Sequence, residues 1–232
     1  MRSSTPETSG PPRYVLATHV HWVEIDDLVF ILDELSGRYF GLHGPHAHLW
    51  AQLVQPESNA SAVEDGPLVE LAKAVRARGW LLAPEEQLPV LPEARRVSLR
   101  PPRRPSFVGA YVSLTRAFWS IQYLGFARTY RWARSATLYR TTFRSESSVV
   151  ERVTRLFLRA ETFIFSRRGF EDCLPRSIAL FVFLRRAGVA VNHHIGVRSY
   201  PFAAHAWVEY DSTPLLERAS QVSQFTPILT IA

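Results

Sequence analysis

The residue types best suited to covalent chemistry lie in the last third of the chain, where the only cysteine precedes a helical pattern. Cys173 opens the stretch 173–188, in which apolar side chains recur at helical spacing and Pro175 fits the first turn. Asp172 is placed to cap this predicted helix and Gly188 to end it. A thiol at a helix start meets the positive end of the helix dipole and free N–H groups, which favour the thiolate. Cys173 is therefore a candidate nucleophile.

A candidate general base follows on a predicted strand. The stretches 189–198 and 204–210 both have strand patterns and are joined through a proline turn. On the second of them His205, Trp207 and Glu209 share one face, because side chains alternate along a strand. His205 is thus presented on the same side of the predicted sheet as an indole and a carboxylate.

The third member of this constellation is a carboxylate that would orient the histidine. The turn composition of residues 211–214 predicts a hairpin, so we expect 215–217 to form a strand antiparallel to the histidine-bearing one. Such a hairpin would return a carboxylate to His205. Glu209, two residues along the same strand, lies at a poor angle to the ring and is expected to be structural. Asp211, in the turn, is the other competitor. A thiol, an imidazole and a carboxylate supply nucleophile, base and orienting group for attack on a carbonyl carbon.

A purely structural role is the alternative that these residues leave open. A lone cysteine is often a small buried hydrophobic residue, and a histidine in a strand often serves packing. Spacing alone does not separate the two interpretations.

Five short motifs occur in a fixed order around these residues. They are Cys173, Ser177-Ile178-Ala179-Leu180, Leu184-Arg185-Arg186-Ala187-Gly188, Gly196-Val197-Arg198-Ser199-Tyr200-Pro201-Phe202 and Ala204-His205-Ala206-Trp207-Val208-Glu209. Together they resemble the C-terminal, transglutaminase-like peptidase domain of the lasso peptide maturation B proteins. That family removes the leader from a ribosomally made precursor with a Cys-His-Asp/Glu triad. The resemblance implies Cys173, His205 and Glu217 as the triad here.

Composition limits the classes of protein to which the chain can belong. It has 232 residues, 47% of them hydrophobic, one cysteine and a formal net charge of +6. That length allows one large or two small domains, and one cysteine excludes an internal disulfide. Neither metal-ligand spacing nor a glycine-rich phosphate loop is found, so we expect no cofactor in this chain. With neither a signal peptide nor a long apolar run, we expect a cytoplasmic protein.

The charge is unevenly distributed along the chain. Residues 1–83 carry 6 basic and 10 acidic side chains, whereas residues 84–172 carry 16 and 8. Such a basic stretch is most often a solvated surface, with an anionic membrane or an acidic partner protein as alternatives. No nucleic-acid-binding motif accompanies the arginines, so we expect no nucleic-acid partner.

The first third of the chain has the pattern of a small sheet followed by helices. Alternation predicts strands at 20–25, 28–33 and 39–42. A second helix is predicted over 67–78, before a short strand at 80–82. The first helix starts at 44–45, and its predicted apolar stripe comprises His46, Leu49, Trp50, Leu53 and Val54.

A second resemblance falls on this region. The sequence Asp-x-x-Ser-Gly-Arg-Tyr-Phe-Gly-Leu at 33–42, followed by Leu49 and Trp50, is similar to the PQQ-chaperone-like recognition domain at the N-terminus of fused lasso B proteins. That domain binds the leader as an added strand, since a sheet edge offers unpaired backbone groups. A core role is the alternative for most of the apolar residues. The contacts that the resemblance implies are Arg38, Tyr39, Phe40, Gly41, Leu71, Val75 and Arg78.

These patterns divide the chain into four segments. We expect a disordered N-terminus (1–13), a leader-recognition domain (14–83), a Pro/Arg-rich linker (84–105) and a peptidase domain (106–232). The last would begin with amphipathic helices at Phe107–Arg134 and 147–168. The predicted fold class is α+β: a winged-helix-like module with a three-stranded sheet, then a transglutaminase- or papain-like cysteine peptidase domain with helices and a small antiparallel sheet.

The predicted function is leader cleavage in lasso peptide biosynthesis. The resemblance implies two partners: the leader of a precursor peptide, and an ATP-dependent, asparagine-synthetase-like cyclase that closes the macrolactam ring. Two alternatives are a non-catalytic escort that delivers the precursor to the cyclase, and an acyl-transfer enzyme that uses the same triad. The arginine-bearing, aromatic-rich helix 107–134 covers the core in the simplest interpretation, and peripheral membrane contact or docking of a partner enzyme is the alternative.

Overall fold

The computed structural model describes residues 15–54, 66–82, 99–140, 146–165 and 172–232. The predicted disordered N-terminus and most of the predicted linker lie outside these ranges. The elements in chain order are β1 (Val15–Leu16), β2 (Val20–Ile25), β3 (Leu28–Asp33), β4 (Arg38–His43), α1 (Pro45–Val54), α2 (Gly66–Ala77), β5 (Leu81–Leu82), α3 (Phe107–Arg134), α4 (Ser147–Phe165), α5 (Cys173–Arg186), β6 (Asn192–Arg198), β7 (Ala203–Tyr210), β8 (Thr213–Pro214), α6 (Ala219–Val222) and β9 (Thr226–Ile231).

The predicted three-stranded N-terminal sheet is present, in the antiparallel order β2-β3-β4. One of its faces packs against α1 and α2 around Trp50, which is fully buried with Val29 and Ile31. The predicted stripe of α1 is wrong at His46, which is exposed, because Ala47 takes the inward position one residue later. The sheet and its two helices thus form one small core.

The opposite face of this sheet is buried in a second core that the C-terminal half builds. Phe30 and Leu32 of β3 belong to that core, so β3 is apolar on both faces. This is why residues 28–32 form an uninterrupted hydrophobic run in the sequence. Glu34, just after β3, accepts two hydrogen bonds from Arg134 of α3 at 2.7 and 2.8 Å. Burial would raise the pKa of Glu34, but its hydrogen bonds to His21 and Arg134 lower it below the ordinary value. The two halves of the chain are therefore packed together, not merely connected.

Helix α5 is the centre of the C-terminal half, and its middle is buried on all sides. Residues 177–184 are all buried, between α3 and α4 on one side and the sheet on the other. A helix that is apolar all round is stable only when it is enclosed in this way. Gly188 has a φ of 89°, the left-handed conformation that ends the helix as predicted.

The C-terminal sheet differs from prediction in its outer strands. Its order is β8-β7-β6-β9, and the predicted pairing of 189–198 with 204–210 is present as β6 and β7. The predicted strand at 215–217 is wrong, because the hairpin partner of β7 is the two-residue β8 and the chain then bends at Leu216, whose φ is 64°. Strand β9, on the other side of β6, was not predicted.

Helix α3 has the predicted bounds, but it packs through small residues and is interrupted near its middle. Its buried face consists mainly of small residues such as Ala110, Ser113 and Ala117, whose size allows close approach to α5. The helix is interrupted at Gly125, which has a φ of 76°. On α4, the side chain of Phe163 lies on the surface and is 69% exposed.

Residues 99–105, the described part of the predicted linker, lie against the C-terminal half. The N–H of Arg103 donates to the carbonyl of Arg186 at 2.6 Å, and Arg100 forms a parallel bridge with Tyr139. The domain boundaries at 83 and 106 stay predictions.

Candidate active site

Cys173 is the first residue of α5 and is partly exposed. Asp172 occupies the N-cap position, as predicted, but its side chain makes no capping hydrogen bond. The side chain of Cys173 packs against the large C-terminal core. The start of α5 therefore has to be held in place by something other than its cap.

A buried histidine supplies that support. The Nδ1 of His193 lies 3.2 Å from the hydroxyl of Tyr130, and its Nε2 lies 3.0 Å from the hydroxyl of Ser177. Ser177 in turn donates to the carbonyl of Leu174 at 3.0 Å. These contacts fix the ring as the Nε2–H tautomer, with Tyr130 donating to Nδ1. Burial, with a smaller contribution from His194, lowers the pKa of His193 to about 3. The ring is therefore neutral at physiological pH, and it supports the first turn of α5 through Ser177.

His193 is a site residue that sequence reasoning missed. In the sequence it stands next to His194, and neither ring has metal-ligand spacing. Only the pairing of β6 inside the sheet turns His193 inward, while the alternation of the strand turns His194 to the opposite face against Trp207. The sequence did contain one signal for this difference: because side chains alternate along a strand, His193 and His194 had to face opposite sides of the sheet.

His205 stands at the centre of the candidate site, on the face of β7 that was predicted. Its Nε2 lies 2.5 Å from Oε2 of Glu217. The ring is stacked with Trp207 at 6.1 Å between centroids and lies 5.2 Å from the ring of Phe225. Gly196 pairs with His205 across the sheet, and a Cβ there would come within 2.7 Å of the Trp207 ring. This glycine is required for the aromatic ring that packs beside the imidazole.

The carboxylate assignment is decided by the bend after β8. Leu216 has a left-handed backbone conformation, which turns the chain so that Glu217 meets the imidazole of His205. The sequence predicted that a straight strand would bring a carboxylate to the same place. Glu209 is engaged elsewhere: it accepts the indole N–H of Trp207 at 2.8 Å and lies 3.4 Å from His194. Glu217 is therefore the carboxylate whose hydrogen bond to His205 is seen.

Cys173 and His205 are brought together as hydrogen-bonding partners. The hydrogen bond with Cys173, followed by that with Glu217, raises the pKa of His205 to about 9 against the opposing effect of burial. Because Glu217 occupies Nε2, Nδ1 is the nitrogen left for the sulfur. At neutral pH the ring is therefore an imidazolium that lies between the sulfur of Cys173 and the carboxylate of Glu217.

This arrangement predicts how His205 titrates. Its ring should remain protonated at pH 7.5 and lose its proton with a midpoint near pH 9. Because the pKa of His205 in the folded protein is above its ordinary value of 6.5, the stability that the protonated ring contributes is complete below pH 6.5 and is lost as the pH rises through 9. Following the ring protons by NMR checks the midpoint, which Glu217→Gln should lower. A matched Glu209→Gln variant should leave it unchanged; equal effects of both variants would contradict the assignment.

The N-terminal sheet reaches this site through Tyr39 of β4. Burial first, and then the charge of Cys173, raise the pKa of Tyr39 to about 12, which places the phenol in electrostatic range of the sulfur. The ring lies 6.0 Å from that of Phe202, which itself stacks on Phe30 at 5.5 Å. Phe202 comes from the turn between β6 and β7, so the predicted leader-binding strand meets the catalytic sheet at this aromatic contact.

The other predicted leader contacts divide into surface and core. Arg38 and Gly41 are exposed on β4, which pairs only with β3 among the described strands and so has an open edge. Phe40 packs on Trp80 at 4.8 Å, and Arg78 lies over the same indole at 5.7 Å. Leu71 is half-buried. Val75 departs from the expectation, because it is 4% exposed and faces the core on the inward stripe of α2.

The imidazole opens into a polar cleft of about 490 Å³. Arg176, one turn into α5, lines it and is held by Glu161 of α4 at 2.5 Å. A somewhat larger cavity, of about 560 Å³, lies between α4 and the β7–β8 hairpin, but Cys173, His205 and Glu217 do not line it. The cleft lining comprises Arg176, His205, Leu216, Glu217, Gln221, Gln224 and Phe225.

A cysteine at a helix start, with a histidine and a glutamate presented from an antiparallel sheet, defines a protein of the cysteine-protease or acyl-transfer type. The chain belongs to the transglutaminase-like superfamily, whose model matches residues 110–230. That match includes Cys173, His205 and Glu217 and leaves the N-terminal sheet outside. Neither the curated proteins nor the solved structures provided a match to the chain.

Proposed function

We propose that this protein is a cysteine peptidase that cuts the leader from a lasso peptide precursor. The observation that carries the proposal is the position of His205, bonded to both Cys173 and Glu217 at the edge of an open cleft. The ordered motifs around Cys173 and His205 resemble those of the lasso maturation B proteins, and this resemblance supports leader cleavage as the reaction.

The triad residues divide the reaction between them. The thiolate of Cys173, paired with the imidazolium of His205, attacks the carbonyl carbon at the junction of leader and core. The backbone N–H of Cys173 donates to the oxyanion that forms. His205 gives its proton to the departing amine and then deprotonates the water that hydrolyses the acyl-enzyme, while Glu217 holds the ring in orientation. No step of this reaction uses a cofactor.

The leader is bound by the open edge of β4. A peptide strand added there would pair with the backbone of Arg38, Tyr39, Phe40 and Gly41, and the side chains of Leu71 and Arg78 would bound it on the side of α2. Tyr39 is in electrostatic range of the sulfur. Binding of the leader then places the scissile bond at a fixed distance from Cys173, because the two sheets share a core. This raises its effective concentration more than a free linker would.

Two partners belong to this proposal. The precursor supplies the leader, and an ATP-dependent, asparagine-synthetase-like cyclase closes the ring of the released core. This second partner rests on the resemblance alone.

A second candidate activity is acyl transfer to an amine. It is favoured by membership of the transglutaminase-like superfamily, because the same acyl-enzyme can be resolved by an amine instead of water. A third candidate is a non-catalytic escort for the cyclase. That role would give no function to the hydrogen-bonded pair of Cys173 and His205.

Mass spectrometry of a precursor peptide incubated with the protein separates these candidates. Hydrolysis gives a free leader with a carboxylate terminus and a linear core. Acyl transfer gives a crosslinked product without added water, and an escort returns the precursor intact. The incubation is done with and without the cyclase, and an intact precursor in both would overturn the peptidase proposal.

A further inference from the structure

The outer face of α3 carries a large apolar surface that no described part of the chain covers. Trp119, Tyr123 and Val108 are 54%, 70% and 67% exposed, and Trp119 stacks on Tyr123 at 5.2 Å. Of the twelve large hydrophobic residues that are exposed in the described ranges, eight lie on α3 or on the neighbouring end of α4. We call this set the α3 ridge: Phe107, Val108, Tyr111, Val112, Trp119, Tyr123, Leu124 and Phe163.

The ridge lies on the solvent-facing side of α3, which in a surface helix is normally polar. The inward face of α3 is made by Ala110, Leu114 and Ala117, and the ridge lies on the opposite side of the same turns. A helix that is apolar on both sides needs a second apolar environment besides the core. Tryptophan and tyrosine are the side chains that suit an environment that is apolar at depth and wet at its edge.

The charges on α3 and on the segments that flank it in the chain are all of one sign. Residues 99–140 contain eight arginines and neither aspartate nor glutamate. Beside Val108 and Val112 is a cavity of about 300 Å³ lined by Arg103, Arg104 and Arg186. The Nε of Arg186 is buried and has no hydrogen-bond partner among the described atoms. A basic pocket next to an apolar edge can hold an anionic headgroup while the edge enters the acyl region.

We propose that the α3 ridge is a docking surface for an anionic lipid bilayer, with the Arg103–Arg104–Arg186 pocket as the headgroup site. The helix lies in the plane of the interface, with Trp119 and Tyr123 inserted at headgroup depth. No helix within the described ranges has the length and hydropathy to cross a bilayer. This function is independent of peptide cleavage, because the ridge and the imidazole lie on different elements.

Vesicle co-sedimentation of the full chain tests this proposal. Binding to vesicles that contain phosphatidylglycerol should exceed binding to pure phosphatidylcholine by about tenfold or more, and added salt should weaken it. Trp119→Ser with Tyr123→Ser should lower binding to the anionic vesicles by about tenfold or more. Arg103→Glu with Arg104→Glu should remove the preference for anionic lipid while leaving the aromatic residues in place. Leu35→Ser, which removes a 61% exposed apolar residue of the β3–β4 turn that is not part of the ridge, is the matched control and should bind as the wild type.

Three outcomes would overturn the proposal: equal binding to both kinds of vesicle, unchanged binding by the aromatic double variant, or no binding at all. In the last case, a dimer in sedimentation velocity that the aromatic double variant dissociates would assign the ridge to a second copy of the chain. The arginine variant keeps the test valid if the aromatic variant fails to fold. Leader cleavage in vesicle-free buffer should be unchanged in both variants, so failure of lipid binding and failure of the peptidase proposal are distinguishable.

Discussion

Replacing Cys173 with alanine should abolish leader cleavage and leave leader binding unchanged. The sulfur is the nucleophile that bonds the imidazole of His205 in the described part of the chain, and loss of such a nucleophile lowers turnover by about 10⁴-fold or more. The substituted side chain is small and only partly buried, so the fold should tolerate the change. Cleavage is measured by mass spectrometry, and binding by fluorescence anisotropy of a labelled leader peptide.

Binding must persist for this experiment to be informative. The β4 edge contributes backbone groups and does not depend on the sulfur, so the anisotropy of the Cys173→Ala protein should match that of the wild type. Cys173→Ser serves as the isosteric control and should also bind without efficient cleavage. Cleavage that survives in Cys173→Ala would remove the peptidase assignment and leave the escort role.

Replacing Glu217 with glutamine should lower the cleavage rate by about 10²- to 10⁴-fold, because the amide cannot stabilise the imidazolium or hold its tautomer. The short contact between Glu217 and Nε2 of His205 is one of the two hydrogen bonds that keep the ring protonated. The loss should appear in kcat more than in KM, since the carboxylate lies behind the ring.

The matched control is Glu209→Gln, on the same strand face as His205. Glu209 bonds Trp207 and His194 instead, so its substitution should leave cleavage within a few-fold of the wild type. If Glu217→Gln retained full turnover, the orienting role would belong to another group. If Glu209→Gln were equally damaging, the effect would come from packing of Trp207 and not from orientation of the imidazole.

The sequence by itself determined the elements of this protein that have local causes. Strands β2, β3, β6 and β7 and helices α3 and α5 follow from periodicity, from Pro175 in a first turn and from Gly188 after a last one. The same periodicity put Cys173 at a helix start and His205 on one face of a strand. These features depend on neighbours within a few residues, so the printed chain contains their physical reasons.

Only the tertiary structure decided the relations between distant segments. The route of Glu217 depends on a left-handed Leu216 rather than on a third strand, and β9 joins the sheet through pairing with β6, neither of which has a local signal. The inward turn of His193 onto Ser177 and the approach of Tyr39 to Cys173 likewise come from packing of one sheet against another. Long-range pairing is set by which buried surfaces fit together, and the periodicity of a single segment does not encode that fit.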